Sequence, residues 1–112
     1  MKYKVFLTDS ASADILEIWK YIVSNDSMHA ADKIKEALKK TIEELTVLPK
    51  RGHIPPELES IGVFDYNEVH CKPYRVIYSI RENNVYVIAV FDGRRYLNEI
   101  LAQRYFRVKN ID

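Results

Sequence analysis

Apolar and polar positions alternate most sharply between Tyr74 and Arg81, where Tyr74, Val76, Tyr78 and Ile80 interleave with Arg75, Ile77, Ser79 and Arg81. A strand sends successive side chains to opposite faces, so this run predicts one apolar face and one face carrying two guanidiniums. Glu82-Asn83-Asn84 reads as a turn, because Asn tolerates left-handed backbone angles. Val85 to Phe91 is almost wholly apolar, the pattern of a strand covered on both sides. Asp92-Gly93 ends it, and Arg94-Arg95 follow at once.

The N-terminal half has a different period. Tyr3 to Leu7 predicts a short strand with Tyr3, Val5 and Leu7 on one face. Ala11, Ile15, Ile18, Trp19 and Ile22 then recur at helical spacing, with Thr8 or Ser10 as the cap, and the helix ends near Val23. A second helix is expected from Met28 to Leu48, capped by Ser27, striped by Ala31, Ile34, Leu38, Ile42, Leu45 and Leu48, and stopped by Pro49. The short link between them predicts an antiparallel helical hairpin.

Pro49 to Gly62 reads as a long irregular loop, partly basic through Lys50, Arg51 and His53. Phe64 to Cys71 reads as a strand whose core face the alternation leaves open. Tyr96 to Val108 predicts a last amphipathic helix through Leu97, Ile100, Leu101, Tyr105 and Val108. The order β-α-α-β-β-β-α, with short turns between the later strands, gives an α+β fold built on a small antiparallel sheet.

Composition narrows the class. With 112 residues, 47% hydrophobic and 29% charged, the chain is expected to form a single domain with its own core. It shows no membrane-length apolar run and no signal peptide, and its lone cysteine, Cys71, fits a reducing cytoplasm. A net charge of +1 argues against indiscriminate nucleic-acid binding. Between Val69 and Lys109, however, eight basic residues face three acidic ones, which predicts an electropositive side.

That asymmetry directs attention to the arginines. A guanidinium stays charged and its forked donors match a phosphate. Arg75 lies opposite the apolar face of its strand, and Arg94 and Arg95 sit where the next strand ends. In a three-stranded meander these groups can converge on one concave patch on the sheet's uncovered side. Glu68 and His70 join it if Val69 and Cys71 face the core. Arg81, Lys72, Arg94 and His70 are further candidate phosphate or RNA contacts. Arginine holds its proton too tightly to serve as a base, so acid–base work falls to Glu68 or His70. The plainer reading pairs Glu68 with an arginine and leaves His70 as an exposed strand residue. No Gly-rich phosphate loop occurs, and His29, His53 and His70 are scattered, so no metal or other cofactor is expected.

The segments LTDSASADILEIWKYI, LPKRGHIPPEL, PYRVIYSI and VIAVFDGRR, in this order, resemble the RelE/ParE superfamily of bacterial toxins. The resemblance spans Tyr3 to about Arg104. It implies a helical hairpin packed on one face of the sheet, and the toxin of a type II toxin–antitoxin pair. It also implies a cognate antitoxin that wraps the toxin, in a hetero-oligomer or beside a toxin homodimer. RelE-like members cleave mRNA in the ribosomal A site without a metal, whereas ParE-like members inhibit DNA gyrase.

By that resemblance Arg75 and Arg95 fall at the phosphate-binding arginines of the nucleases, with Glu68 as a candidate base. Leu101 stands where those nucleases place a tyrosine, and Tyr66 and Glu68 stand where they place lysines. The long helical hairpin leans towards ParE and the DGRR arginines towards RelE. Ribosome-dependent mRNA cleavage is the first expectation. Gyrase inhibition, or a harmless relative that only binds its antitoxin, is the alternative.

Overall fold

The computed structural model describes residues 2–102. The elements run β1 (Lys4–Leu7), α1 (Asp9–Asn25), α2 (Met28–Glu43), a 3-10 turn (Glu44–Thr46), α3 (Pro56–Glu59), β2 (Asn67–Cys71), β3 (Tyr74–Arg81) and β4 (Asn84–Asp92). Residues 97–102 are again helical. They open the expected last helix, whose Tyr105 and Val108 lie outside the described residues, as do Arg104, Arg107 and Lys109 of the basic third.

Each helix of the hairpin starts on a side-chain cap. The Thr8 hydroxyl accepts from the Ala11 N–H at 3.1 Å and the Ser27 hydroxyl from the Ala30 N–H at 3.0 Å. Both satisfy donors that a helix start otherwise leaves open. α2 stops at Glu43, five residues short of the expected end. Proline disfavours helical geometry in the residue before it, and the chain tightens into the 3-10 turn that still buries Leu45 but leaves Leu48 exposed. The expected irregular loop instead holds α3, where Pro56 sits in the first turn with its backbone angle already set.

The sheet order is β1-β4-β3-β2. β2, β3 and β4 form the expected antiparallel meander, but β1 lies parallel to β4, so the sheet is mixed rather than wholly antiparallel. The α1–α2 hairpin lies between β1 and the rest of the sheet in sequence, and so supplies the long crossover that a parallel pair needs.

One face of the sheet presents Val69, Val76, Tyr78, Val85, Val87 and Val90 to Ala11, Leu38, Ile42 and Leu45 of the helical side. Full burial of each such aliphatic side chain contributes about 1.5–3 kcal/mol. The open question about β2 is thereby answered: Val69 and Cys71 face this core, and Glu68 and His70 face away from it. The second face is not uncovered, as the sequence suggests. Ile77, Ala89 and Phe91 pack there under Leu58, Leu97 and Ile100.

A bulge makes both faces of β4 apolar. Ile77 pairs with Ala89 but Tyr78 pairs with Val87, leaving Ile88 as the extra residue. The shift turns Val90 towards the helices and Ala89 and Phe91 towards the opposite core. Beyond the reach of β1, the Val90 N–H donates to the Asp14 carboxylate of α1 at 2.9 Å.

Candidate functional site

The second face of the sheet carries a polar cluster beside its apolar patch. His70, Arg75 and Phe91 lie in one cross-strand row, His70 opposite Arg75 and Arg75 opposite Phe91. The Arg75 guanidinium sits over the Phe91 ring, 5.2 Å from its centroid. Glu68, one step along β2 on the same face, is only 1% exposed. A buried carboxylate costs several kcal/mol unless it is paired and hydrogen-bonded, and here it has several partners. Arg75 donates from Nε to Glu68 Oε1 at 2.7 Å and from Nη2 to Oε2 at 3.1 Å.

A second carboxylate closes the other side of the same guanidinium. Arg75 Nη1 and Nη2 donate to Glu57 Oε2 and Oε1 at 2.7 and 2.8 Å. α3 brings Glu57 there, and the bidentate geometry gives a strong, oriented pair. Hydrogen bonding from Arg75 holds the Glu57 carboxyl down at about 2. Glu57, with Glu68, in turn raises the guanidinium above its usual range. Arg75 is therefore tied into internal ion pairs and does not offer its donors to an incoming anion.

Two histidines complete the cluster. His53 Nε2 lies 3.3 Å from Glu68 Oε2, and His70 Nε2 lies 3.2 Å from Glu68 Oε1. The rings meet edge to face, 5.3 Å between centroids. His53 is brought in by backbone pairing: its N–H donates to the Glu68 carbonyl at 3.1 Å, and the Glu68 N–H donates back at 2.7 Å. Gly52 permits this approach. A Cβ there would stand 2.4 Å from the Glu68 carbonyl oxygen and 2.6 Å from the Tyr78 hydroxyl. That hydroxyl staples the loop by donating to the Pro49 carbonyl at 2.8 Å and accepting from the Gly52 N–H at 3.3 Å.

His53, Glu57, Glu68, His70, Lys72, Tyr74 and Arg75 line one open cavity of about 440 Å³. Four residues singled out in the sequence (Arg75, Glu68, His70 and Lys72) thus come together. Arg94 and Arg95 do not join them. They line a separate hollow with Asp14, Glu17, Tyr21 and Asp92. Arg94 is itself paired with Asp92, Nε to Oδ1 at 2.9 Å and Nη2 to Oδ2 at 2.8 Å. Arg94's hydrogen bonds lower the Asp92 carboxyl to about 2. Arg81 lies at the far end of β3, roughly 20 Å from Arg75 along the strand, in a third hollow with Phe64, Asp65 and Asn67.

Arg75, the Arg94–Arg95 pair and Arg81 therefore line three hollows rather than one concave patch, the first two adjoining at Tyr74. Glu57 was not singled out in the sequence, since one glutamate in a proline-rich loop carries no sign of its partner on β3. The two histidines that look scattered in sequence meet because the loop pairs with β2.

A different surface runs along β1. Tyr3, Val5, Phe6, Leu7, Ile15 and Ile42 line a mainly apolar groove of about 670 Å³, with Lys4, Lys35, Lys39 and one acidic residue, Glu43, also along it. β1 is the edge of the sheet, and its Phe6 and Leu7 are exposed.

The ParE toxin family of type II toxin–antitoxin systems (parDE) matches residues 5–97, most of the 112-residue chain. The chain belongs to the ParE toxin family. A structure described as the chromosomal ParDE system from P. aeruginosa aligns with a TM-score of 0.69 at 14% identity, covering 81% of this chain and 96% of that one. The toxin–antitoxin complex RelBE2 from Mycobacterium tuberculosis aligns with a TM-score of 0.60 at 18% identity, covering 82% and 99%. At these identities the likeness is one of fold. No curated protein matches the chain. Among the described residues of this ParE-family toxin, no helix is long and apolar enough to cross a membrane.

Proposed function

We propose that this toxin acts by binding a protein target, DNA gyrase, rather than by cutting RNA. The observation that carries the reading is the closure of Arg75 by Glu57 and Glu68. With neutral histidines the Arg75–Glu57–Glu68 group holds one positive and two negative charges. A phosphodiester entering there meets net repulsion and must displace a carboxylate that stays ionised down to about pH 2. Arg94 and Arg95 line the neighbouring hollow rather than this cavity, and Arg94 is paired with Asp92, which supports the same reading. The match to the ParE family supports the same reading.

The alternative, ribosome-dependent mRNA cleavage with Arg75 and Arg95 on the phosphate and Glu68 as base, is favoured by one feature. Glu68 and His70 are placed together beside Arg75, as an acid–base pair requires.

The cognate antitoxin docks, in this proposal, along the β1 groove. An extended segment could add to the sheet edge and fill the apolar groove, and acidic side chains on it would meet Lys4, Lys35 and Lys39. The test runs in parallel on folded, antitoxin-free protein, following gyrase-catalysed supercoiling of a plasmid and integrity of ribosome-bound mRNA. Blocked supercoiling with intact mRNA is expected. Cut mRNA with normal supercoiling would overturn the proposal in favour of the nuclease.

A further inference from the structure

We infer that His53, Glu68 and His70 form a binding site for one divalent transition-metal ion of the zinc type. One nitrogen from each imidazole and one carboxylate oxygen all lie within 4.8 Å of one another. The two nitrogen–oxygen separations are 3.3 and 3.2 Å. Two ligands bound to tetrahedral Zn²⁺ at about 2.0–2.1 Å each stand about 3.3 Å apart. Each imidazole nitrogen thus already stands at that separation from its own oxygen of the Glu68 carboxylate, His53 from Oε2 and His70 from Oε1.

The scaffold holds that spacing from two directions. Glu68 and His70 are two residues apart on β2 and so share a face. His53 is fixed opposite Glu68 by the paired backbone hydrogen bonds that Gly52 makes room for. Behind the carboxylate, Arg75 bonds both of its oxygens and orients them, the arrangement of a metal ligand supported from behind. The charge of Arg75 does not repel the ion outright, because Glu57 neutralises it from the far side. Lys72 also lines the cavity but is exposed, so its charge is screened by water.

The site is open on the cavity side, where His53 and His70 are 56% and 48% exposed. Two imidazoles and one carboxylate with a free coordination position are the donor set of open rather than closed structural zinc sites. That free position takes water or a donor atom from outside the chain. The inference does not depend on how the toxin acts, since a metal here is compatible with a binding toxin.

The test is calorimetric titration of chelator-stripped protein with Zn²⁺, and with Co²⁺ followed by its visible absorption. One equivalent should bind. His53→Ala and His70→Ala should each weaken binding by at least about tenfold, whereas His29→Ala, on the exposed face of α2, should leave it unchanged. Both site histidines are surface-exposed, so circular dichroism should report folded variants. No saturable site, or unchanged affinity in both His53→Ala and His70→Ala, would overturn the inference.

Discussion

Glu68 sets the demands at the scale of single residues. Buried at 1% exposure, it is tolerable only because Arg75 and two imidazoles surround it, and Arg75 is in turn held by Glu57. Glu57 is the acid-sensitive member. Its folded pKa, about 2, lies below the ordinary 4.5, so its stabilising contribution is complete above about pH 4.5 and fades as pH falls towards 2. Urea denaturation across that window should show stability falling with acid. In Glu57→Gln, which loses the charge at every pH, the same limb should be shallower.

Gly52 is the second exacting residue. Gly52→Ala would push a Cβ into the Glu68 carbonyl and the Tyr78 hydroxyl, so it should destabilise by about 1–3 kcal/mol. It should also displace the His53 imidazole resonances in an NMR spectrum. A variant as stable as the parent would contradict the close approach. The sequence offers the pairing of Glu68 with an arginine as its plainer reading, but not the Glu57, His53 or Gly52 contacts, because those partners are set only by the fold.

At the scale of elements, much was legible. The two capped helices, the β3 alternation and the doubly covered β4 follow from local period and turn chemistry. The parallel placement of β1 was not, because strand neighbours separated by a helical hairpin carry no local signal. The bulge at Ile88 was hidden too, since an unbroken apolar run looks the same with or without an inserted residue. The β3–β4 turn contains one unfavourable choice: Glu82 adopts φ +55, a left-handed angle that suits Gly or Asn better. Glu82→Gly should therefore stabilise the hairpin by about 0.5–1 kcal/mol, read as a raised denaturation midpoint with an unchanged slope. A lowered midpoint would mean that the Glu82 side chain makes a contact worth more than the strain.

For the whole molecule, the sheet divides the work. One face is devoted to the helical hairpin, the second to a small core and the polar cluster around Glu68, and the β1 edge to an exposed apolar groove. The family was legible from four segments in order, whereas the placement of the arginines required the fold. Arg75 and Arg95 are near in the sequence pattern yet line different hollows, because β4 ends and the chain turns away at Gly93 before Arg94 and Arg95.

The most direct measurement of the central claim is gyrase supercoiling of a relaxed plasmid in the presence of the purified toxin. The plasmid should stay relaxed, and Arg95→Ala, in a hollow apart from the Arg75 cluster, should leave the protein's fold unchanged in the same preparation. Full supercoiling at saturating folded toxin would contradict the account.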